Sequence, residues 1–168
     1  MSSIIVGSVA TGHYESQWTG SGYGNEWVGG ANSAGGVSVK FNVKNTSDKI
    51  IKYLRFSLMP YNRVNDFVGS SIPHQNNSVF IYTGPLYPDR LHKMVFENAW
   101  YNNTIVGAII EWVEIEYMDG TKEQISGNNI TVETYLGEMT PAVKTIILVA
   151  IVVIALLALL CLAFYFDL

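Results

Sequence analysis

Three glutamates lie close together in the chain, Glu111, Glu114 and Glu116, within a stretch of alternating apolar residues. Successive side chains of a β-strand point to opposite faces, so the spacing of two places Glu114 and Glu116 on the same face. Two carboxylates on one face can hold a cation or exchange protons with a substrate. More often such a pair forms the solvated face of a strand, and we predict that role here.

Other residue types that carry catalysis are scattered. The histidines, His13, His74 and His92, are far apart, and none has a second ligand at metal-binding spacing. Residues 20–24 form a glycine cluster, but the lysine of a phosphate-binding loop does not follow it, and no nucleophile or zinc-protease motif occurs. We therefore predict no catalytic residue, no metal, no cofactor and no enzymatic activity.

Aromatic residues are interleaved with glycine near the beginning of the chain. Residues 7–36 hold nine glycines, and this density disfavours helices because glycine loses the most backbone freedom on ordering. We predict loops and short strands there. Trp18, Tyr23 and Trp27 are the candidate binding residues, since their rings can stack on a sugar or peptide; packing against the rest of the domain is the alternative role.

The residues that must position these side chains read as β-strands. Alternation of apolar and polar residues over 37–43 and 53–59, followed by turn sequences and further alternating segments to residue 125, is typical of half-buried strands. Asp119-Gly120 predicts a hairpin turn. With six or seven short strands and no amphipathic helix, the sequence predicts an antiparallel, immunoglobulin-like β-sandwich. The expected inward-facing residues are Val37, Val39, Phe41, Val43, Leu54, Phe56, Leu58, Ile105, Ile109, Val113, Ile115 and Tyr117.

Residues 145–166 contain no charged side chain. A helix of this length spans roughly 33 Å, enough to cross a hydrocarbon core of about 30 Å. Lys144 suits one membrane interface, and the aromatic residues 164–166 suit the other. We predict a single transmembrane helix over 144–166, in contact with the lipid bilayer, with residues 126–143 as a linker from the domain.

Other features of the sequence bear on which side of the membrane the N-terminal domain faces. The N-terminus has no basic segment and too short an apolar run for a signal peptide. This pattern, together with Lys144, predicts a tail-anchored protein of the cell membrane with its N-terminal domain in the cytoplasm. Four glycosylation sequons, at Asn45, Asn76, Asn102 and Asn129, favour the alternative, an extracellular domain.

The charge distribution limits the class of partner. The net charge is −4, whereas a surface for nucleic acid needs clustered basic residues. The densest basic group, Lys40, Lys44, Lys49 and Lys52, alternates with strand residues and a turn, which predicts a solvated strand face. Another protein is therefore the expected partner, and nucleic acid is not.

Several segments resemble a known family. They are residues 44–62 (KNTSDKIIKYLRFSLMPYN), 82–85 (YTGP), 100–102 (WYN) and 115–121 (IEYMDGT). Over about residues 37–125 the chain resembles the FxLYD-like domains and related uncharacterised modules, which are small β-sandwiches of bacterial membrane proteins. The resemblance implies the fold and a neighbouring membrane span, and it implies no catalytic activity. Here the anchor follows the domain, whereas many members of the family place a helix first.

These observations predict four parts: a glycine- and aromatic-rich segment (1–36), a β-sandwich (37–125), a linker (126–143) and the membrane helix. The expected function is that of a membrane-anchored, non-enzymatic binding or scaffolding module. The alternative is a structural subunit of a larger membrane complex, with its helix packed against other helices. A carbohydrate-binding or enzymatic domain that uses the aromatic segment is the third possibility.

Overall fold

The computed structural model describes residues 2–18, 23–72 and 79–133. Of these residues 67% lie in strands, which confirms the prediction of a mainly β protein. The predicted membrane helix, and the predicted linker from residue 134 onward, lie outside the described residues. The strands are β1 (Ile4–Gly7), β2 (Ala10–Trp18), β3 (Tyr23–Gly29), β4 (Gly36–Asn45), β5 (Ile51–Asn62), β6 (Val79–Leu86), β7 (Leu91–Tyr101), β8 (Ile105–Tyr117), β9 (Lys122–Ser126) and β10 (Thr131–Glu133).

The strands form two sheets. The first is centred on β4, which pairs with β7 along one edge and with β1 and β2, one after the other, along its other edge. Beyond these two short partners lie β10, parallel to β1, and β3, antiparallel to β2. The second sheet has the order β6-β5-β8-β9 and is antiparallel throughout.

One hydrophobic core lies between the two sheets. On β4 the predicted alternation is confirmed, because Val37, Val39, Phe41 and Val43 are all buried. On β5 the buried residues Leu54, Phe56 and Leu58 confirm it again. The rings of Phe41 and Phe56 meet edge to face across the core, with centroids 4.9 Å apart. Two sheets that share one core are what a β-sandwich requires.

The predicted inward face of β8 is wrong at one residue. Ile105, Val113 and Ile115 are buried, but 43% of Ile109 is exposed. The register between β5 and β8 shifts after the pair Ser57 and Trp112. An extra residue in one strand changes which face the residues beyond it occupy, so the strict period of two cannot be extended through a β-bulge. A second shift, between Tyr61 and Asn62 of β5, returns Ile105 to the buried face.

The strands extend beyond the predicted 37–125. Residues 4–29 contribute three strands instead of loops and short strands, and the chain rejoins the first sheet through β10 after a 3-10 turn, Gly127–Asn129. Ten strands are present in the described residues, against the predicted six or seven. Between β5 and β6, the described residues add only one isolated bridge, between Tyr61 and Phe67.

A buried asparagine organises the end of the sandwich where β4 leads into β5. Asn45 is fully buried, and its amide nitrogen donates to the carbonyl oxygens of Lys49 (2.8 Å) and Leu86 (2.9 Å). Its side-chain oxygen accepts from the backbone N–H (3.0 Å) and the hydroxyl (2.7 Å) of Ser47. Both ends of the amide are therefore satisfied, which a buried polar group needs.

Candidate binding surface

Strands β2 and β3 run past the end of β4. They pair with each other from Gly12 and Gly29 to Trp18 and Tyr23, whereas β4 pairs only with Ala10–Gly12 of β2. We call residues 13–18 and 23–28 the ribbon. Among the described residues its two strands have backbone pairing only with one another. A two-stranded hairpin is marginally stable by itself in water, so side-chain contacts must help to hold it.

One face of the ribbon carries its aromatic positions. The register sets Tyr14 opposite Trp27 and, at the far end, Trp18 opposite Tyr23. Between these pairs the Ser16 hydroxyl donates to the Asn25 side-chain oxygen at 2.9 Å. Positions two or four apart on a strand share a face, so positions 14, 18, 23 and 27 belong to the same face of the ribbon backbone.

Trp27 fastens the base of the ribbon to the first sheet. Its half-buried ring meets Tyr14 edge to face, with centroids 5.2 Å apart, and the Lys40 ammonium lies 4.4 Å from its centroid. The indole also lies against Gly12, where an added Cβ would come within 2.9 Å of Cε2 of the indole. Glycine at position 12 thus lets the indole approach the strand closely.

The surroundings of Tyr14 disfavour ionisation of its phenol, which is already neutral near pH 7. Burial raises the pKa of Tyr14 above its ordinary value of 10.0, and the carboxylate of Glu97 raises it further. A neutral hydroxyl beside an apolar ring can bind a polar group without introducing a charge. The base of the ribbon therefore combines an uncharged phenol, an indole and one ammonium group.

The opposite face of the ribbon is acidic. The register sets Glu15 directly opposite Glu26, and both are exposed. Neither carboxylate forms an ion pair with a lysine or arginine of the described ranges. Like charges directly opposite each other weaken a strand pair, so the aromatic face must supply most of the side-chain stabilisation of the ribbon.

The three predicted binding residues thus lie on one hairpin. Trp27 is at its base, and Trp18 is in backbone register with Tyr23 at its far end. Their role in binding stays a prediction. Sequence reasoning missed Gly12 and Lys40 as partners of Trp27. The alternation of Lys40 with Val39 and Phe41 placed it on the outer face of β4, but only the register of β2 brings Trp27 to that face.

The glutamates of β8 lie on the outer face of the second sheet and are engaged by cations. Glu116 forms ion pairs with Lys122 (3.1 Å), Lys52 (3.3 Å) and Arg55 (3.6 Å), and Arg55 also pairs with Glu114. Hydrogen bonding from Lys122, followed by that from Lys52, lowers the pKa of Glu116 below its ordinary value, although partial burial opposes the shift. A carboxylate held ionised in this way is a poor proton donor near neutral pH.

Glu111 is separated from this pair by the bulge. One of its carboxylate oxygens accepts a hydrogen bond of 2.9 Å from the Ser57 hydroxyl. The predicted common face of Glu114 and Glu116 is confirmed, because the register sets them opposite Arg55 and Tyr53 of β5. Their ion pairs are typical of a solvated strand face.

The basic group at 40–52 is spread over separate contacts. Lys44 pairs with Asp89 (3.4 Å) and Lys49 with Asp119 (2.8 Å), while Lys52 joins the glutamates of β8. Lysines that are each used locally do not form a continuous basic surface. This agrees with the predicted strand faces and turn.

The two described histidines contact different parts of the fold. The His13 ring donates from Nδ1 to the carbonyl of Gly30 at 3.3 Å, and the His92 ring lies against Tyr82 with centroids 4.5 Å apart. Within residues 2–18, 23–72 and 79–133, no three histidine, cysteine or acidic side chains are grouped as a metal site needs. His74 lies outside the described residues.

The part of the chain that the structure describes contains no helix that is long and apolar enough to cross a bilayer. Comparison with known proteins finds no matching family model, no matching curated protein and no matching solved structure.

Proposed function

We propose that this protein is a membrane-anchored, non-enzymatic binding or scaffolding module whose β-sandwich engages another protein. Residues 144–166 form the transmembrane helix in this proposal, and the sandwich is an immunoglobulin-like domain of the FxLYD-like kind. A domain held at the bilayer has a high effective concentration for neighbours in the same membrane, which favours binding without requiring high intrinsic affinity.

The observation that carries the proposal is the ribbon. It extends past β4 with backbone pairing only between its own two strands among the described residues. It bears the aromatic pair Tyr14 and Trp27, and Trp18 is in backbone register with Tyr23. Aromatic residues on an extended surface are typical of the energetically important centres of protein interfaces. The ion pairs that engage Glu114 and Glu116 support the non-enzymatic part of the proposal.

The proposal places the domain in the cytoplasm, with the extracellular face as the alternative. The burial of Asn45 removes one of the four sequons that favour the extracellular alternative. A glycan on its amide nitrogen would replace donors that now satisfy two backbone carbonyls. Glycosylation at this sequon is therefore incompatible with the folded turn.

Site-specific photo-crosslinking of the full chain in its native membranes tests the binding part. A photoreactive phenylalanine analogue replaces Asn25, which is exposed on the ribbon, and in a matched control it replaces Gln124, which is exposed on β9. We expect one protein adduct from position 25 and none from position 124. Equal adducts at both positions, or none at position 25, would contradict the proposed use of the ribbon.

Deletion of residues 145–166 tests the anchor. We expect the full chain to stay with membranes after alkaline carbonate washing and the deleted chain to be released. Retention of the deleted chain would show that another part of the protein binds the membrane. Self-association of the full chain through this segment in detergent, without a ribbon adduct, would favour the structural-subunit alternative.

A further inference from the structure

A cavity of about 420 Å³ lies at the loop end of the sandwich. One wall is the turn that follows β5, with Arg63 and Val64, and another is the turn between β7 and β8, with Asn103 and Thr104. Gly30, directly after β3, completes the rim and accepts the hydrogen bond from His13 of the ribbon. The cavity therefore adjoins the base of the ribbon.

Both walls are held in shape by asparagine side chains. The Asn62 oxygen accepts from the backbone N–H groups of Val64 and Asp66, each at 3.0 Å. The Asn102 oxygen accepts from the backbone N–H (2.9 Å) and the hydroxyl (2.7 Å) of Thr104. Turns closed by such side-chain bonds are ordered before a ligand arrives, and a preformed site loses less conformational entropy on binding.

Among the described residues that line this cavity, Arg63 is the one with a charged side chain. Its guanidinium forms no ion pair with a carboxylate of the described segments. The Asn103 amide can add a donor beside it. The apolar part of the lining includes Val64, which is 73% exposed, and Val106, which is 42% exposed.

A guanidinium that pairs with no described carboxylate and lies next to exposed aliphatic side chains is complementary to an anionic group that has an apolar neighbour. Arginine binds carboxylates through two parallel hydrogen bonds, which fixes their orientation as well as their charge. The aliphatic wall gains from covering the apolar part of the same ligand.

We propose that this cavity receives a carboxylate of the partner protein that has an aliphatic side chain beside it, such as an acidic residue next to leucine. The inference rests on the proposed function, because it names the chemistry by which the partner is recognised. The ribbon lies beside the cavity through the His13–Gly30 contact, so one partner segment can touch both.

The probe is N-acetyl-leucine, which carries one carboxylate beside an isobutyl group, and its neutral match is N-acetyl-leucinamide. Binding to the full chain in nanodiscs is followed by backbone NMR shifts. We expect shifts at residues 62–64 and 103–106 with the acid and none with the amide. Arg63→Gln should lower the affinity for the acid about tenfold or more, because the variant loses a charge-assisted hydrogen bond.

Arg90→Gln is the matched control, since Arg90 is also exposed but does not line the cavity, and it should leave the affinity unchanged. Equal binding of acid and amide, or an unchanged affinity in Arg63→Gln, would overturn the inference. If the Asn25 adduct persists in that case, the proposed function still stands. Selective binding of the acid through Arg63 without any ribbon adduct would instead keep the cavity chemistry and overturn the proposed function.

Discussion

The sandwich body and the ribbon are built from the same kind of strand but are held in different ways. In the body, β4 and β5 each have paired neighbours on both edges and bury one face completely. In the ribbon, each strand pairs with the other alone within the described residues, and the ring that fastens it, Trp27, is half-buried. The body is therefore stabilised by core packing, and the ribbon by a few surface contacts.

This difference shows how the fold separates stability from an exposed surface. Segments with few buried apolar contacts open locally at a lower free energy than the core does. The ribbon can consequently change its contacts, or adjust to a partner, while the two sheets stay folded. Substitutions in the body should change global unfolding, whereas substitutions at the base of the ribbon should change mainly local opening.

The largest effect is expected from Phe56→Ala. Phe56 is fully buried, and its ring packs against Phe41 of the other sheet. Truncation leaves a cavity, and we expect a loss of about 3–5 kcal/mol in the free energy of unfolding. Denaturant unfolding followed by circular dichroism measures it. A loss below about 1 kcal/mol would mean that the two sheets do not share the core described here.

Gly12→Ala should act on the ribbon. An added Cβ would collide with the backbone oxygen of Val28 and lie 2.9 Å from the indole of Trp27, and we expect a cost of roughly 1–3 kcal/mol. The control is its cross-strand partner, since Gly29→Ala meets nothing within 4 Å. Hydrogen exchange of the ribbon amides should accelerate in the first variant alone. Equal acceleration in both variants would contradict the close approach of Val28 and Trp27 of β3 to Gly12.

Lys40→Met tests the ammonium over the Trp27 ring, because it keeps most of the aliphatic stem and removes the charge. We expect the ribbon to open more easily by about 0.5–1 kcal/mol, the usual size of an exposed cation–π contact. Lys93→Met on the neighbouring strand β7 is the control. Hydrogen exchange at residues 26–28 measures this opening. Unchanged exchange in Lys40→Met would show that the ammonium does not stabilise the ribbon.

The smallest effect is expected on the stability of the body at acidic pH. The ion pairs lower the pKa of Glu116 in the folded chain, so its stabilisation is present above the ordinary value of 4.5 and is lost as the pH falls through the lower, folded value. Glu116→Gln should flatten the pH dependence of unfolding below about pH 4.5. Glu15→Gln on the ribbon, which breaks no ion pair with a described residue, should leave the profile of global unfolding unchanged. An identical profile in wild type and Glu116→Gln would contradict the ion-pair network.

Much of the body was predictable because a strand with one buried face has an apolar residue at every second position. That pattern located β4, β5 and the paired glutamates of β8, and the Asp119-Gly120 turn located the hairpin to β9. The pattern failed at Ile109 because a bulge is an insertion relative to a partner strand. The sequence of β8 alone does not specify its register with that partner. The pattern also missed β10, which is three residues long and has no buried side chain.

The sequence by itself determined the mainly β class, the core residues of β4 and β5 that alternate with polar ones, and the composition of the aromatic segment. These depend on local sequence patterns, because each residue type has its own preference for buried positions or for turns. Tertiary structure alone decided that Trp27 lies on Gly12 beneath Lys40, that Arg63 faces a cavity next to the ribbon, and that β1 and β2 share one edge of β4. Each of these facts is a register between segments distant in the chain, and registers are set by the packing of the whole sheet.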